Sequence, residues 1–331
     1  MGRTIYFKNS PTIIGACGCA GPKESSGAIG KFIDFKSSDD MFGEKTFEKA
    51  ETKMFYTAVK GVMDKLKLKD DDLDVFIAGD LLNQIVSATF TARNLDFGYL
   101  GVYNACATFT ESLIIGSMLI DGGYVSKALC GTSSHFSSAE RQYRYPLELG
   151  CTRPPLSQWT VTGAGACVLA KRKGGLKITC ATIGKVVDFG VTDANNMGAA
   201  MAPSACDTIA QFFKDTGYAP DDFDLIVTGD LGTFGTRVVK DLLWEKGYDI
   251  RSRHVDCGEL VYNIDEREYQ GGSGAGCSSL VFSSYLYRKM MDGELKRILL
   301  VSTGALLSTL TTQQGESIPG IAHAVCIEKQ N

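Results

Sequence analysis

Cys106 lies between two alanines in the stretch YNACATFTES, residues 103–112. The amphipathic run ATFTESLIIGSMLIDGG, residues 107–123, predicts a helix that begins directly after Cys106 and ends at a glycine pair. The free N–H groups and the partial positive charge of a helix N-terminus favour a thiolate over a thiol. Because the neighbouring side chains are small, a substrate could approach the sulfur. Cys106 is therefore either a nucleophile or a small buried residue, and both interpretations stay open at this point.

A cysteine nucleophile also needs a general base and a group that polarises the substrate carbonyl. The chain has three histidines, His135, His254 and His323. His135 follows a buried strand predicted for residues 126–133, and the C-terminal ends of strands gather active-site residues in open α/β sheets. We therefore expect His135 to be the functional histidine, whereas His254 is expected on the surface and His323 within an apolar strand.

Two aspartates end equivalent predicted strands. Asp80 follows the apolar run VFIAG, and Asp230 follows LIVTG. Their carboxylates could face one cavity and hold a divalent cation such as Ca²⁺ through oxygen. Each carboxylate could equally cap the helix that follows its strand.

Two arginines, Arg141 and Arg144, lie three residues apart in ERQYRYP. Guanidinium groups bind carboxylates through paired hydrogen bonds, and the neighbouring Tyr143 and Tyr145 could stack on a flat ring. This pattern predicts a site for an aromatic carboxylate. The alternative is a solvated loop with surface Arg–Glu pairs.

The stretch GGSGAGCSSLVF, residues 271–282, predicts a glycine-rich loop that opens a helix. The N–H groups of such a loop could bind an anion, although the lysine of a P-loop is missing. We include Ser273, within this loop, among the candidate ligand-binding residues. Close packing of two helices is the alternative reason for the glycines.

Buried strands alternate with amphipathic helices along the chain, which predicts an α/β fold built in layers. The second half repeats the pattern of the first. DDLDVFIAGDLLNQ, residues 71–84, aligns with DDFDLIVTGDLGTF, residues 221–234, and this alignment places Asp80 on Asp230. Two further segments match in the same order, so we interpret the pattern as an internal duplication.

The duplication predicts two domains of similar plan. The break falls near LAKRKGG, residues 169–175, and gives an N-terminal half, residues 1–172, and a C-terminal half, residues 173–331. Residues 134–160 have no counterpart of comparable length in the C-terminal half. We predict a long loop there that caps a pocket or covers a dimer interface, because long loops in compact domains are often functional.

Composition excludes several classes of protein. A formal net charge of −4 over 331 residues gives no sign of nucleic acid as a partner. Eleven cysteines without a CxxC pair predict buried free thiols rather than a zinc site. The N-terminus lacks the apolar core of a signal peptide, and the least charged run, residues 298–315, is too polar for a membrane helix. Any membrane association is therefore expected to be peripheral.

The duplicated plan, the small–Cys–small helix start and the later glycine loop resemble the thiolase superfamily. That resemblance implies an α/β fold with five layers in the order αβαβα and two duplicated halves, and it puts Cys106 at the position of the nucleophile. A set of further motifs resembles one family in particular, the stage V sporulation protein AD family. The motifs are AGPKE (20–24), AGDLLNQ (78–84), LIDGG (119–123), TSSH (132–135), AERQYRYP (139–146), MAPSACDTI (201–209), TGDL (228–231), GGSGAGCS (271–278), TGALLS (303–308) and ESIPGIAHAV (316–325).

This second resemblance implies a function. Members of the family bind dipicolinic acid, pyridine-2,6-dicarboxylate, and serve its uptake into the forespore together with membrane proteins. It follows that this chain is expected to bind dipicolinic acid, to work peripherally at the forespore or spore inner membrane, and to form a homodimer. The candidate ligand-binding residues are Asp80, Cys106, His135, Arg141, Arg144, Asp230 and Ser273. No cofactor is expected apart from Ca²⁺, which dipicolinate chelates and which Asp80 and Asp230 could hold.

The candidate site departs from the enzymes that it resembles. Initiation-type ketoacyl synthases carry a catalytic histidine in the turn that here reads TGDLGTF, residues 228–234, where Asp230 stands near its place. The asparagine loop of those enzymes aligns with GGS, residues 271–273, and the GHP histidine and second cysteine of thiolases are also missing. Since loss of one oxyanion donor alone costs on the order of 100-fold in rate, we expect a non-catalytic binding protein with a vestigial Cys106. The alternative is an acyltransferase that uses Cys106.

Overall fold

The computed structural model describes residues 2–9, 11–144, 147–150, 152–264 and 269–330. The described strands are β1 (Thr4–Tyr6), β2 (Thr12–Ala20), β3 (Phe35–Lys36), β4 (Val75–Gly79), β5 (Gly98–Gly101), β6 (Lys127–Ser134), β7 (Trp159–Thr160), β8 (Gly163–Ala170), β9 (Gly175–Thr182), β10 (Leu225–Thr228), β11 (His254–Asp256), β12 (Gly272–Ser273), β13 (Arg297–Ala305) and β14 (Gly320–Gln330). The described α-helices are α1 (Pro22–Ser25), α2 (Phe47–Leu66), α3 (Val86–Ala92), α4 (Thr108–Asp121), α5 (Phe136–Tyr143), α6 (Met197–Thr216), α7 (Gly232–Glu245), α8 (Cys257–Val261), α9 (Ala275–Val281), α10 (Tyr287–Met291) and α11 (Thr309–Gln313). A π-helical turn, Phe282–Leu286, joins α9 to α10.

The strands form a large mixed sheet with a repeated plan. Its main path runs β11-β10-β13-β14-β9-β2-β8-β6-β4-β5, while β1 pairs with β9 and β3 with β2. From the centre of the sheet outward, the first half has the order β2, β8, β6, β4, β5, and the second half has the order β9, β14, β13, β10, β11. If the five strands of each half are numbered along the chain, both orders read one, five, four, two, three. The halves therefore share one topology, as the sequence repeat predicts. The predicted break falls in the turn between β8 and β9.

Helices cover the sheet in layers. α2 packs on β2 and β8 of the first half, and α6 packs on β13 and β14 of the second. α4 lies between the halves, because it contacts β4 and β6 on one side and β13 and β14 on the other. The buried apolar side chains accordingly form one central cluster and one cluster under each outer helix layer. This arrangement is the mixed α/β fold expected from the sequence.

The long elements agree with the sequence patterns. The amphipathic segment at residues 47–66 forms α2, which Thr46 caps by accepting a hydrogen bond from the Lys49 N–H at 3.3 Å. The helix predicted after Cys106 is α4. Of the helices that the structure describes, none combines the length and apolar character needed to span a bilayer.

The segment 134–160 differs from the predicted loop. Ser134 still belongs to β6, the helix α5 follows, and β7 pairs with β12 in a separate parallel ribbon. α5 begins at His135, whose side chain accepts a hydrogen bond from the Ser137 N–H. At eight residues, α5 is shorter than the window over which helical periodicity can be recognised in a sequence.

Candidate functional site

A sharp turn between β5 and α4 presents Cys106. Ala105 has a φ of 51°, a left-handed conformation that a residue with a side chain adopts only when its surroundings impose it. β13 supplies that constraint, since a Cβ on Gly304 would lie 2.4 Å from the carbonyl oxygen of Asn104. A strand of the second half thus fixes the turn that carries the cysteine of the first.

Cys106 lies in the wall of a cavity of about 40 Å³ between the two halves. We call this the inner cavity. Most of its lining is apolar, and its polar groups come from a few side chains, which is typical of a small-molecule site. The inner cavity is lined by Leu81, Tyr103, Ala105, Cys106, Ala139, Glu140, Tyr143, Arg144, Thr160, Met197, Ser273, Ala305 and Leu307.

Asp230 lies directly behind this wall and is fully buried. Its carboxylate accepts hydrogen bonds from the Ser273 hydroxyl (3.1 Å), the Gly274 N–H (2.9 Å) and the Thr303 hydroxyl (2.8 Å). The Cys106 thiol lies near this carboxylate, and each group shifts the pKa of the other. Burial nevertheless raises the pKa of Asp230 to about 6, because desolvation outweighs these donors.

The same surroundings keep the sulfur protonated. Burial, and next to it the negative charge of Asp230, raise the pKa of the Cys106 thiol well above its ordinary value. The Gly274 N–H and Arg144 act in the opposite direction without reversing the shift. The expectation that the start of α4 favours a thiolate is therefore wrong, because desolvation and a nearby carboxylate dominate over the helix terminus.

Two arginines give the inner cavity its positive charge. Arg144, whose side chain is only 6% exposed, pairs with Glu140 and donates to the carbonyl oxygen of Gln158 at 3.3 Å. Arg153 pairs with the other oxygen of Glu140 at 3.0 Å. Two guanidinium groups thus share one buried carboxylate, which leaves one positive charge in excess within this group, beside the carboxylate of Asp230. An anionic ligand would be stabilised there.

Asp80, which was predicted to bind a ligand or calcium, caps a helix instead. One of its carboxylate oxygens accepts a hydrogen bond from the Leu82 N–H and the other from the Ala88 N–H, both at 2.7 Å. It therefore ties the end of β4 to the start of α3. Asp80 and Asp230 belong to separate hydrogen-bond networks, so the expectation that both face one cavity is wrong.

His135 and Arg141 also lie outside the inner cavity. The Nδ1 of His135 accepts from the Ser137 N–H at 3.1 Å, so its Nε2 carries the proton and donates to the Asp40 carbonyl oxygen at 2.8 Å. Burial lowers the pKa of this histidine, which keeps it neutral. Arg141 is half-exposed and pairs with Glu48 on the surface. His135 is therefore a structural histidine and not the expected functional one, and Arg141 forms a surface ion pair, as the alternative interpretation of ERQYRYP predicts.

The other two histidines are structural as well. His254 was expected on the surface, but it is buried, its Nε2 lies 2.9 Å from the Thr228 hydroxyl, and burial lowers its pKa to about 3. The Nδ1 of His323 accepts from the Gly184 N–H at 3.0 Å. All three histidines are described, and none lines the inner cavity.

The structure brings together only part of the predicted ligand-binding set. Cys106, Arg144 and Ser273 line the inner cavity, and Asp230 supports it from behind. Within the ranges that the structure describes, no group of three or more His, Cys, Asp or Glu side chains is arranged to hold a metal ion. Tyr145, predicted to stack on a ligand ring, lies outside the described residues.

Several residues that line the inner cavity were not predicted from the sequence. Glu140 precedes Arg144 by four positions, a spacing that puts both on one face of a helix and could have indicated their ion pair. Tyr103 stands three residues before Cys106 and could have been noticed for that reason. Met197 begins α6, and no local pattern points to it.

Comparison with known proteins supplies the family. The sequence model described as stage V sporulation protein AD matches residues 1–328. The stage V sporulation protein AD of Bacillus subtilis (strain 168) is 45% identical over 330 residues, which cover 99% of this chain and 97% of that protein.

Comparison with solved structures supports the fold. The 3-oxoacyl-[acyl-carrier-protein] synthase III of Aquifex aeolicus VF5 matches with a TM-score of 0.58 at 17% identity over 96% of this chain and 99% of that chain. The acetamide-bound OleA of Xanthomonas campestris matches with a TM-score of 0.62 at 15% identity over 98% of this chain and 100% of that chain. At these identities the likeness concerns the thiolase-like fold alone.

Proposed function

The chain belongs to the stage V sporulation protein AD family, and from this membership, which makes it a sporulation protein, we propose that it binds dipicolinic acid and supports uptake of that compound into the developing forespore. In this proposal the protein is not an enzyme. Its inner cavity holds the ligand, and the thiolase-like fold serves as a binding scaffold.

The observation that carries the proposal is the buried arginine pair at an otherwise apolar cavity. Dipicolinate is a flat ring with two carboxylates. Arg144 lines the inner cavity and Arg153 stands behind Glu140, so their net positive charge suits a carboxylate. Tyr143 and Leu307 offer apolar surface to the ring.

The state of Cys106 supports a non-catalytic role. A nucleophilic cysteine requires a lowered pKa or an adjacent base, whereas this thiol has a raised pKa. Because the pKa of Asp230 is about 6 and that of the thiol lies above its ordinary value, the proton rests on sulfur in the ground state.

An acyltransferase is the second candidate function. The observation in its favour is the Gly274 N–H beside the Cys106 sulfur, which could stabilise a developing negative charge. This function requires an acyl-enzyme adduct on Cys106 after incubation with a coenzyme A thioester. Its absence by intact-protein mass spectrometry would eliminate the candidate.

We propose that calcium arrives as the chelate of dipicolinate and is not a resident cofactor. The carboxylate of Asp80 is occupied by backbone N–H groups, and that of Asp230 by Ser273, Gly274 and Thr303. A chelated cation would bring its own ligand oxygens and would reduce the charge of the dianion near Asp230.

The proposed partners are membrane proteins of the same uptake system and a second copy of this chain. We propose a peripheral location at the forespore and spore inner membrane. For the homodimer, the support is β5, which ends the sheet with an open edge and carries the exposed Leu100. Open strand edges pair readily with another chain.

Titration calorimetry with dipicolinate, in the presence and absence of Ca²⁺, tests the proposed function. We expect saturable binding by the native protein and a loss of roughly 10- to 100-fold in affinity for Arg144→Ala, since a charge-assisted hydrogen bond contributes about 1.5–3 kcal/mol. Glu140 keeps Arg153 as its partner in this variant, so no buried charge is left alone.

Arg141→Ala is the matched control, because it removes a nearby arginine that pairs only with Glu48 at the surface. Its affinity for dipicolinate should equal that of the native protein. If the native protein shows no saturable binding with or without Ca²⁺, the proposed function is wrong.

A further inference from the structure

The inner cavity adjoins two outer grooves and shares lining residues with both. The first groove has a volume of about 490 Å³, and its polar lining residues include Asn83, Gln142 and Ser308. The second groove has a volume of about 250 Å³ and lies beside Asn195. Tyr143 lines all three spaces. A molecule that moves between the inner cavity and either groove therefore passes this side chain.

Tyr103 stands opposite Tyr143 and lines both the inner cavity and the first groove. The hydroxyl groups of the two tyrosines are 3.0 Å apart. The Tyr143 hydroxyl also donates a hydrogen bond to the carbonyl oxygen of Leu81. Because that bond uses the proton of Tyr143, the proton between the two hydroxyls comes from Tyr103.

These two hydrogen bonds link three segments across the opening. Tyr103 belongs to the turn before Cys106, Tyr143 is the last residue of α5, and Leu81 follows β4. The ring of Tyr103 remains 43% exposed, so it is held in place by its hydroxyl more than by packing. Opening the passage requires the hydrogen bond between the two tyrosines to break, and α5 need not unfold.

We propose that Tyr103 and Tyr143 form a gate that controls access of small molecules to Cys106 and the rest of the inner cavity. The gate determines how fast a ligand enters and leaves, whereas Arg144 determines how tightly it is held. Only the identity of the ligand rests on the proposed function. The gate itself is a property of the passage.

Alkylation of Cys106 measures passage without any natural ligand. Iodoacetamide reacts with Cys106 only after it enters the inner cavity, and the extent of reaction is read by mass spectrometry of the peptide that contains Cys106. We expect Tyr103→Phe and Tyr143→Phe each to accelerate this reaction roughly 2- to 10-fold, the factor that corresponds to one net hydrogen bond.

Tyr99→Phe is the matched control, because it removes a tyrosine hydroxyl four residues away that lines neither the inner cavity nor the two grooves among the described residues. Its reaction rate should stay at the native value. The reaction is followed over a range of pH, because a gate changes the rate at every pH and leaves the midpoint of the pH profile in place. A midpoint shift at an unchanged limiting rate would mean that the tyrosines act on the thiol and not on its access.

A double variant tests the link between the two hydroxyls. If they form one gate, Tyr103→Phe combined with Tyr143→Phe accelerates alkylation by less than the product of the single effects. The gate would be overturned if both single variants reacted at the native rate. It would also be overturned if the double variant accelerated alkylation by the full product of the two single effects.

Dipicolinate exchange provides the second measurement. With Trp244→Phe as background, Trp159, next to the lining residue Thr160, is the remaining tryptophan and reports binding in a stopped-flow experiment. Both tyrosine variants should raise the association and dissociation rates together and keep Kd within about twofold of the native value. Absence of dipicolinate binding would contradict the proposed function alone, because alkylation of Cys106 still decides the gate.

Discussion

At Cys106, a cysteine that precedes a helix lies in surroundings that keep its thiol protonated. The start of α4 offers the thiolate only a modest stabilisation, whereas burial and, next to it, the carboxylate of Asp230 oppose it. Asp230 lies 124 positions away in the sequence. A local motif could place the cysteine but could not reveal its charge state.

Asp230→Asn should activate the thiol. An amide removes the negative charge and can donate a hydrogen bond to sulfur, so the pKa of Cys106 should fall and its alkylation near neutral pH should rise roughly 10-fold. Alkylation rates measured against pH check this, with Asp80→Asn as the matched control that removes a buried aspartate from the other network. Equal rates for Asp230→Asn and the native protein would contradict our account of the thiol.

At the scale of elements, the periodic segments could be predicted and the short ones could not. α2 and α4 follow from apolar periodicity, and β4 follows from a short apolar run. α5 was missed because its polar sequence is stabilised by its cap, His135, and by contacts made in the folded state. This helix also matters for the candidate site, because it places Arg144 at the inner cavity and Arg141 at the surface.

The short helix α1 is held by a buried carboxyl that titrates near neutrality. Glu24 accepts hydrogen bonds from the Thr162 N–H at 2.9 Å and from the Tyr262 hydroxyl, yet burial raises its pKa from 4.5 to about 7. A carboxyl with a raised folded-state pKa contributes stability that is fully present below pH 4.5 and is lost as the pH rises through 7.

The stability of Glu24→Gln relative to the native protein should therefore increase as the pH rises from 5 to 8, because an amide oxygen can accept both hydrogen bonds without a charge. We expect the difference in unfolding free energy to change by on the order of 2 kcal/mol over this interval. Denaturant unfolding at several pH values measures it. The exposed Glu294→Gln should show no such change. A difference in unfolding free energy for Glu24→Gln that does not vary with pH would contradict the raised pKa of Glu24.

At the scale of the whole molecule, the candidate site belongs to neither half alone. Cys106 and Arg144 come from the first half, and Ser273, Asp230 and Gly304 from the second. The sequence repeat predicted two similar halves, but it could not show which faces meet. That depends on α4 packing against strands of both halves, a long-range contact with no local signature.

The open edge of β5 makes the proposed homodimer testable. Leu100→Lys puts a charge on an exposed edge residue, so we expect the variant to sediment as a monomer at concentrations where the native chain is a dimer. Trp244→Lys replaces another exposed apolar residue away from this edge and should leave the dimer intact. Sedimentation of the native chain as a monomer would refute the homodimer itself.

The protonated state of Cys106 also affects how well the protein resists oxidation. Peroxides and disulfides attack thiolates, and their reaction with buried thiols is slow. All ten cysteines that the structure describes are free and buried, and the pKa of the one in the inner cavity is raised further by the nearby carboxylate of Asp230. The fold therefore protects its sulfur atoms from oxidation by burial, without any disulfide among the described residues.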